Sequence, residues 1–136
     1  MIAYKQEIAK ILQTKASNIS LYWKGRVGLF ALLKAMEIGK GDEVILPAFT
    51  CVVVPNAILY LGAIPIYVDV NTDTFNTDLN KIKAKVTDKT RCIIIQNTFG
   101  LSSEIEEIVG FGKLQNIPTI EDCTHGFGGT YNTMPN

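Results

Sequence analysis

The stretch DEVILPAFTCVVVPNAILYLGAIPIYVDV, from Asp42 to Val70, decides the fold of this chain. Its two ends, DEVILPAF and IPIYVDV, are short apolar runs bounded by glycine or turn residues, which predicts two buried strands. The segment between them, residues 50–62, predicts a helix that Thr50 caps and in which Pro55 allows a kink. The stretch therefore predicts a strand, a helix and a second strand in sequence.

The same alternation continues on both sides of this stretch. The sequence predicts further helices at residues 2–14, 26–39, 79–86 and 102–116, and further strands at residues 91–97 and 117–122. Nearly all strand residues are apolar, as a parallel sheet covered by helices on both faces requires. We therefore predict an α/β fold, a three-layer sandwich with a mainly parallel sheet.

Several local signals refine this prediction. Asp78 is expected to cap helix 79–86, and a serine is expected to cap helix 102–116. The first helix should bury one face, formed by Ile8, Ile11 and Leu12. The second should do the same with Leu29, Leu32, Leu33 and Met36.

Composition excludes several classes of function. The chain has 136 residues, the size of one domain, with 47% hydrophobic and 19% charged residues. Thirteen basic residues balance thirteen acidic ones, so a nucleic acid partner is not expected. The uncharged run Val44–Val68 has the length of a membrane span, but three prolines interrupt it. We expect a soluble, cytoplasmic protein whose cysteines, Cys51, Cys92 and Cys123, are buried reduced thiols.

Polar and glycine-rich segments follow the predicted strands, where ligands of parallel sheets bind. These segments are PAFTC, VDVNTD, QNTFG and EDCTHGFGG. Asp122 in the last of them is either a capping carboxylate or a site residue. A further segment, KGRVG, precedes the second helix, whose start offers free N–H groups to a phosphate. GRVG lacks the GxGxxG pattern, which disfavours a nicotinamide site and leaves a generic phosphate binder as a weaker alternative.

In their order and spacing, these segments resemble the DegT/DnrJ/EryC1/StrS sugar aminotransferases. The resemblance runs from about Gly25 to Tyr131 and rests on residues 39–78, on NTFG and on IEDCTHGFGGTY. It implies the large domain of the fold of pyridoxal phosphate (PLP) transferases, in its N-terminal part only. It also implies a nucleotide-sugar aminotransferase of lipopolysaccharide, surface polysaccharide or deoxyaminosugar biosynthesis.

The resemblance assigns cofactor roles to seven residues. Asp122 would keep the PLP ring nitrogen protonated, and His125, in place of the family's usual glutamine, would bond the phenolic oxygen. Thr124 and Cys51 would cover the two ring faces, although the family usually has an aromatic residue at position 51. Gly25 and Arg26 replace the family's glycine–threonine phosphate site, with Arg26 directed either to phosphate or to solvent. Asn97 replaces a histidine and is either a site residue or a turn residue.

The resemblance also implies a Schiff-base lysine, which lies beyond the aspartate motif in the family. The last lysine here is Lys113, upstream of Asp122, so no catalytic residue is assigned. We expect a truncated large domain, comprising residues 1–136, without the rest of that domain and the small domain, and inactive alone. Its full-length relatives would use a nucleotide sugar and an amino-acid amine donor, and the exposed sheet would favour a homo-oligomer. A PLP-dependent sugar dehydratase and a non-catalytic remnant or interaction module remain alternatives.

Overall fold

The computed structural model describes residues 2–129. The last two residues of the glycine-rich motif, Thr130 and Tyr131, lie outside them. The helices are α1 (Ile2–Ile11), α2 (Gly25–Ala35), α3 (Val53–Leu59), α4 (Leu79–Lys83) and α5 (Ile105–Gln115). The strands are β1 (Glu43–Pro47), β2 (Ile64–Val68), β3 (Thr90–Gln96) and β4 (Thr119–Asp122).

The four strands form one parallel sheet in the order β2-β1-β3-β4. The two central strands, β1 and β3, each have a neighbour on both sides, so their backbone groups are paired in both directions. Because all strands are parallel, their carboxyl ends lie along one edge, where the loops after β1, β3 and β4 meet. The predicted parallel α/β sheet is confirmed.

Helices cover both faces of the sheet. Val44 and Leu46 of β1 pack with residues of α2 and α3 on one face. Ile45, which has the opposite parity, packs with residues of α4 and α5 on the other. Alternate residues of a strand point to opposite faces, so a central strand that is buried on both sides must be apolar throughout. This arrangement confirms the predicted three layers.

The edge strands are less buried than the sequence pattern predicted. In β2 only Val68 is buried, and Ile64 and Tyr67 are exposed. In β4 no residue is buried. Both are edge strands among the described residues, so one side of each lacks a neighbouring strand.

The predicted helix caps have mixed outcomes. Asp78 accepts a hydrogen bond from the Lys81 backbone N–H at 2.9 Å, which confirms it as the cap of α4. Thr50 does not cap α3, because that helix begins at Val53, three residues later. The serine cap of α5 is also wrong, since the Ser103 hydroxyl donates instead to the Thr77 carbonyl at 3.3 Å.

Two predicted apolar faces are only partly buried. Of the residues predicted to form the buried face of the first helix, Ile8 is half-buried, whereas Ile11 and Leu12 are 58% and 48% exposed, so that face does not pack as predicted. In α2, Leu33 is fully buried but Leu32 is 45% exposed. No helix within residues 2–129 is long and apolar enough to cross a membrane.

The end of α5 depends on one glycine. A Cβ at Gly112 would lie 2.7 Å from the Ile117 carbonyl oxygen and 2.8 Å from the Thr119 side chain, so the chain returns to β4 directly against this position. Asn116 ends the helix in the left-handed conformation with φ 56°. Gly110, on the same helix, has open space around its Cβ position. Of these two glycines of α5, packing therefore requires glycine only at position 112.

Candidate functional site

Two adjoining clefts open at the carboxyl edge of the sheet. The first, of about 410 Å³, is bordered by the loops that follow β1, β3 and β4. The second, of about 560 Å³, lies between the start of α2 and β4. They share four lining residues: Val53, Val54, Asp122 and Thr124. Both clefts therefore meet at the end of β4.

Asp122 is the last residue of β4 and its carboxylate is held by two neighbours. Oδ2 accepts a hydrogen bond from Gln96 Nε2 at 3.2 Å, and Oδ1 accepts one from the Thr124 backbone N–H at 3.0 Å and another from the Thr124 hydroxyl. The side chain is half-buried. Asp122 lies two residues after Ile120 on β4, so the two side chains point to the same face of the sheet. Ile120 packs towards α2 and α3, and the clefts open on that face.

His125 borders the first cleft and is bonded through one ring nitrogen. Its Nδ1 accepts a hydrogen bond from the Phe99 backbone N–H at 3.2 Å. The neutral ring then carries its proton on Nε2, which makes Nε2 a donor. The Phe99 ring lies parallel to the imidazole, with 6.0 Å between centroids and 4° between planes. His125 can therefore donate one hydrogen bond from Nε2, which the role implied by the resemblance requires.

The start of α2 borders the second cleft with backbone N–H groups and two cations. Gly25 and Arg26 are its first two residues, and no side chain caps the helix. A Cβ at Gly25 would meet no atom within 4 Å, so glycine leaves open space there. The Lys24 ammonium, which the sequence analysis did not single out, also lies here, 4.5 Å from the Trp23 ring centroid. Together these groups suit an anion.

The three cysteines differ in exposure, which corrects the prediction that all are buried. Cys51 is exposed at the first cleft, because the loop after β1 turns away from the core. Cys92 is fully buried in β3, and burial raises the pKa of its thiol to about 12. Cys123 is half-buried, and its pKa is raised to about 11 by burial and by Glu121. Cys123 is thus a neutral neighbour of Asp122 at physiological pH.

Asn97 lines the first cleft, but its amide bonds to protein groups. Nδ2 donates to Glu121 Oε1 at 2.7 Å, and Oδ1 accepts from the Ser103 backbone N–H at 3.5 Å. Asn97 is 4% exposed, and its position along the chain places its side chain on the same face as Ile93 and Ile95, which pack with α5. These contacts favour its interpretation as a turn residue.

Two polar residues that the sequence analysis did not assign to the site also line the first cleft. Gln96 Oε1 and Thr50 Oγ1 are buried and have no hydrogen-bond partner within the described part of the chain. Leaving such an atom unpaired costs about 1–3 kcal/mol. The sequence shows Gln96 as a polar residue at the end of an apolar run, on the face that Cys92 and Ile94 share, but it does not show the partner of Gln96 on β4. Nothing in the sequence signalled the unpaired hydroxyl of Thr50.

An aromatic cluster stands beside the first cleft, formed by Phe49, Phe75 and Phe99, whose ring centroids lie 5.6–6.1 Å apart. Phe75 and Phe99 both have φ 56°, a left-handed conformation that is costly for a bulky residue. All three rings are more than a third exposed. The left-handed backbone of Phe75 and Phe99 must therefore be imposed by the loops that carry these two residues.

Asn76 joins the two loops that carry Phe75 and Phe99. Its Nδ2 donates to the Leu101 carbonyl at 2.9 Å, and its Oδ1 accepts from the Thr98 backbone N–H at 3.0 Å. The side chain is 2% exposed. A buried amide that is bonded at both ends fixes the two loops relative to each other.

Comparison with protein families and curated proteins gives consistent matches. The DegT/DnrJ/EryC1/StrS aminotransferase family matches residues 3–135. The chain is 40% identical over 107 residues to a GDP-perosamine synthase of Escherichia coli O157:H7, covering 79% of this chain and 29% of that protein. It is 39% identical over 108 residues to a UDP-4-amino-4-deoxy-L-arabinose–oxoglutarate aminotransferase of Shewanella sediminis, covering 79% and 28%. The chain thus spans less than a third of the length of these relatives.

Solved structures match in the same way. The aminotransferase TlmJ from Streptoalloteichus hindustanus is similar with a TM-score of 0.88 and 25% identity, over 90% of this chain and 34% of that chain. The protein ntda from Bacillus subtilis, solved with bound cofactor PMP, has a TM-score of 0.79 and 31% identity, over 92% and 29%. The sheet and helices described above therefore match part of the fold of these aminotransferases.

Proposed function

Because this chain belongs to the DegT/DnrJ/EryC1/StrS aminotransferase family, we propose that it is the N-terminal portion of a PLP-dependent nucleotide-sugar aminotransferase. The relatives named above support this proposal, since one is a GDP-perosamine synthase and another an aminotransferase of a UDP-linked amino sugar. The activity is proposed for a longer protein, because the chain spans less than a third of each relative. This chain would contribute the part of the cofactor site that meets the ring nitrogen.

The observation that carries the proposal is the position of Asp122. Its carboxylate stands at the junction of two clefts, at the carboxyl end of a parallel strand, where ligands of such sheets bind. A carboxylate beside a pyridine nitrogen favours the protonated ring. PLP, when bound, supplies an electron sink for bond breaking at the substrate carbon, and this capacity depends on that proton.

The residues present fit PLP by three independent features. Two buried polar atoms without a hydrogen-bond partner among residues 2–129, Thr50 Oγ1 and Gln96 Oε1, belong to residues that line the first cleft and would gain partners from a polar ligand. His125 offers a donor to an oxygen acceptor in the same cleft. Gly25 leaves open space at the start of α2, where backbone N–H groups would bind a phosphate.

The remaining predicted residues would complete the site. Thr124 would lie against the ring and orient the Asp122 carboxylate through its two hydrogen bonds. Cys51 would contact the other side of the ring with less area than an aromatic residue offers. Arg26 would add charge-assisted bonds to the phosphate. Among residues 2–129, no lysine lines the first cleft. We therefore propose that this chain alone binds the cofactor without completing amino transfer.

The partners follow from the proposed function. In the longer protein, the substrate would be a nucleotide sugar and the amine donor an amino acid. We also propose that the protein works in the cytoplasm as a homo-oligomer, since the exposed edge strand β2 presents Ile64 and Tyr67 to a second copy. Sedimentation across a concentration series tests the last point, and a monomer at every concentration would contradict it.

A titration with PLP tests the cofactor proposal. The parent chain should bind PLP saturably, as followed by absorbance and equilibrium dialysis, and Asp122→Ala should weaken binding at least tenfold. Asp88→Ala removes an exposed carboxylate from a residue near the opposite end of the sheet and should bind like the parent. Equal binding by the parent and Asp122→Ala would refute the role of Asp122.

A second candidate is a non-catalytic interaction module that keeps the fold without the cofactor. The exposure of Cys51 favours it, because a small thiol leaves one side of the first cleft open. Absence of saturable PLP binding by the folded parent chain would favour this candidate over the first.

A further inference from the structure

Gln96 stands directly beside Asp122 on the neighbouring strand. The two residues are register partners in β3 and β4, and their side chains point to the same face of the sheet. Gln96 Nε2 donates to Asp122 Oδ2 at 3.2 Å, and Thr124 holds the other carboxylate oxygen. The carboxylate is thus bonded from both sides, and Gln96 restricts its rotation.

The second amide atom of Gln96 is unpaired. Oε1 is buried in the wall of the first cleft and has no hydrogen-bond partner among residues 2–129. An amide oxygen only accepts hydrogen bonds, so the missing partner must be a donor. Since the amide nitrogen already faces a carboxylate, exchanging the two amide atoms would place oxygen against oxygen. The orientation of the amide is therefore fixed, and its unpaired acceptor lies in the wall of the first cleft.

We propose that Gln96 is a positioning residue for Asp122 and a second acceptor for the protonated ring nitrogen of the ligand. This inference rests on the proposed function. A protonated ring nitrogen carries one N–H group, which Asp122 and Gln96 would share. Glutamine suits this position because it adds an acceptor without adding charge, whereas a glutamate would repel Asp122. Gln96 would thereby select ligands whose ring bears a donor at this point.

Two ligands separate this role from a structural one. PLP carries the ring N–H, and 1-deaza-PLP has a carbon in its place and offers no such donor. Gln96→Met keeps the length of the side chain and removes both hydrogen bonds. Gln115→Met is the matched control, since Gln115 is an exposed residue at the end of α5. Binding of both ligands is measured by equilibrium dialysis on the full chain, with circular dichroism and thermal unfolding as checks of the fold.

We expect Gln96→Met to weaken PLP binding about tenfold, the effect of losing roughly one hydrogen bond to a charged group. Binding of 1-deaza-PLP should change less than twofold, and the control should bind both ligands like the parent. In an Asp122→Ala background, Gln96→Met should cause no further loss, because the ring nitrogen is then no longer held protonated and offers no N–H group to Gln96. Equal weakening for both ligands, or additive losses in the double variant, would overturn the proposal.

The remaining outcomes are also decisive. Should Gln96→Met fail to fold, Gln96→Glu replaces it; that variant should bind PLP less well than the parent, and binding as tight as the parent's would overturn the proposal. A folded parent that binds neither ligand would defeat the proposed function of this chain. The positioning role then rests on NMR of the ligand-free chain, in which Asp122→Ala should shift the Gln96 side-chain amide signals and Asp88→Ala should not. Unshifted signals would overturn the positioning role by themselves.

Discussion

Replacing Thr50 by valine should stabilise the ligand-free chain and weaken its response to PLP. Thr50 Oγ1 is buried, and no described residue bonds it, so the folded chain has lost the water that solvated this hydroxyl and gained nothing in return. Valine has nearly the same shape and carries a methyl group there. The substitution therefore removes an unfavourable contribution from the folded state.

The size of the effect follows from the cost of an unpaired hydroxyl. That cost is about 1–3 kcal/mol, and the lower end applies because the Thr50 side chain as a whole is only half-buried. A gain of about 1 kcal/mol in the free energy of unfolding corresponds to a rise in Tm of about 3–4 °C for a chain of 136 residues. Urea unfolding and thermal unfolding both measure it.

Thr90→Val is the matched control with the opposite sign. The Thr90 side chain is more deeply buried than that of Thr50, and its Oγ1 accepts a hydrogen bond from the Thr87 backbone N–H at 3.0 Å. Valine at this position leaves that N–H unpaired, which should cost about 1 kcal/mol.

With saturating PLP, the rise in Tm should be smaller for Thr50→Val than for the parent. A Thr50→Val chain that is less stable than the parent would refute the reasoning, since it would mean that the hydroxyl already has a partner.

Other predictions follow from packing and burial. Gly112→Ala should cost about 2 kcal/mol because its Cβ meets a carbonyl oxygen, whereas Gly110→Ala should gain about 0.5–1 kcal/mol, both by urea unfolding. Asn76→Ala should lose about 2–3 kcal/mol and should broaden the NMR signals of both loops; an unchanged spectrum would contradict its linking role. A thiol reagent should label Cys51 in the folded chain and Cys92 only after unfolding. Since burial raises the pKa of Cys92 from 9.0 to about 12, the folded state binds more protons above pH 9, and stability should fall between pH 9 and 12.

Much of the fold could be predicted because its signals are local. The apolar runs within β1 and β3 predicted buried strands, because a strand that is covered on both faces needs apolar residues pointing to each face. Asp78 was recognised as a cap because an aspartate before a helix bonds within its own turn. The edge position of β2 was not predictable in this way, because it depends on which strands lie beside it.

The candidate site was predicted in its components rather than in its contacts. Asp122, Thr124 and His125 lie in one short segment, so the sequence already placed them together. Gln96 escaped notice because its importance comes from the register between β3 and β4, which joins positions 26 residues apart. The different exposures of Cys51 and Cys92 likewise depend on tertiary position, since Cys51 lies in the loop after β1 and Cys92 lies within the central strand β3.

The shared anchorage of two loops on Asn76 limits how this surface can be remodelled. One amide serves both segments, so neither can gain or lose a residue near its attachment point without displacing the other. Grafting a loop from a relative would succeed only if residues 71–78 and 97–103 were transplanted together. Sequence change around the aromatic rings should therefore be concerted, with paired substitutions and conserved spacing on both sides of the anchor.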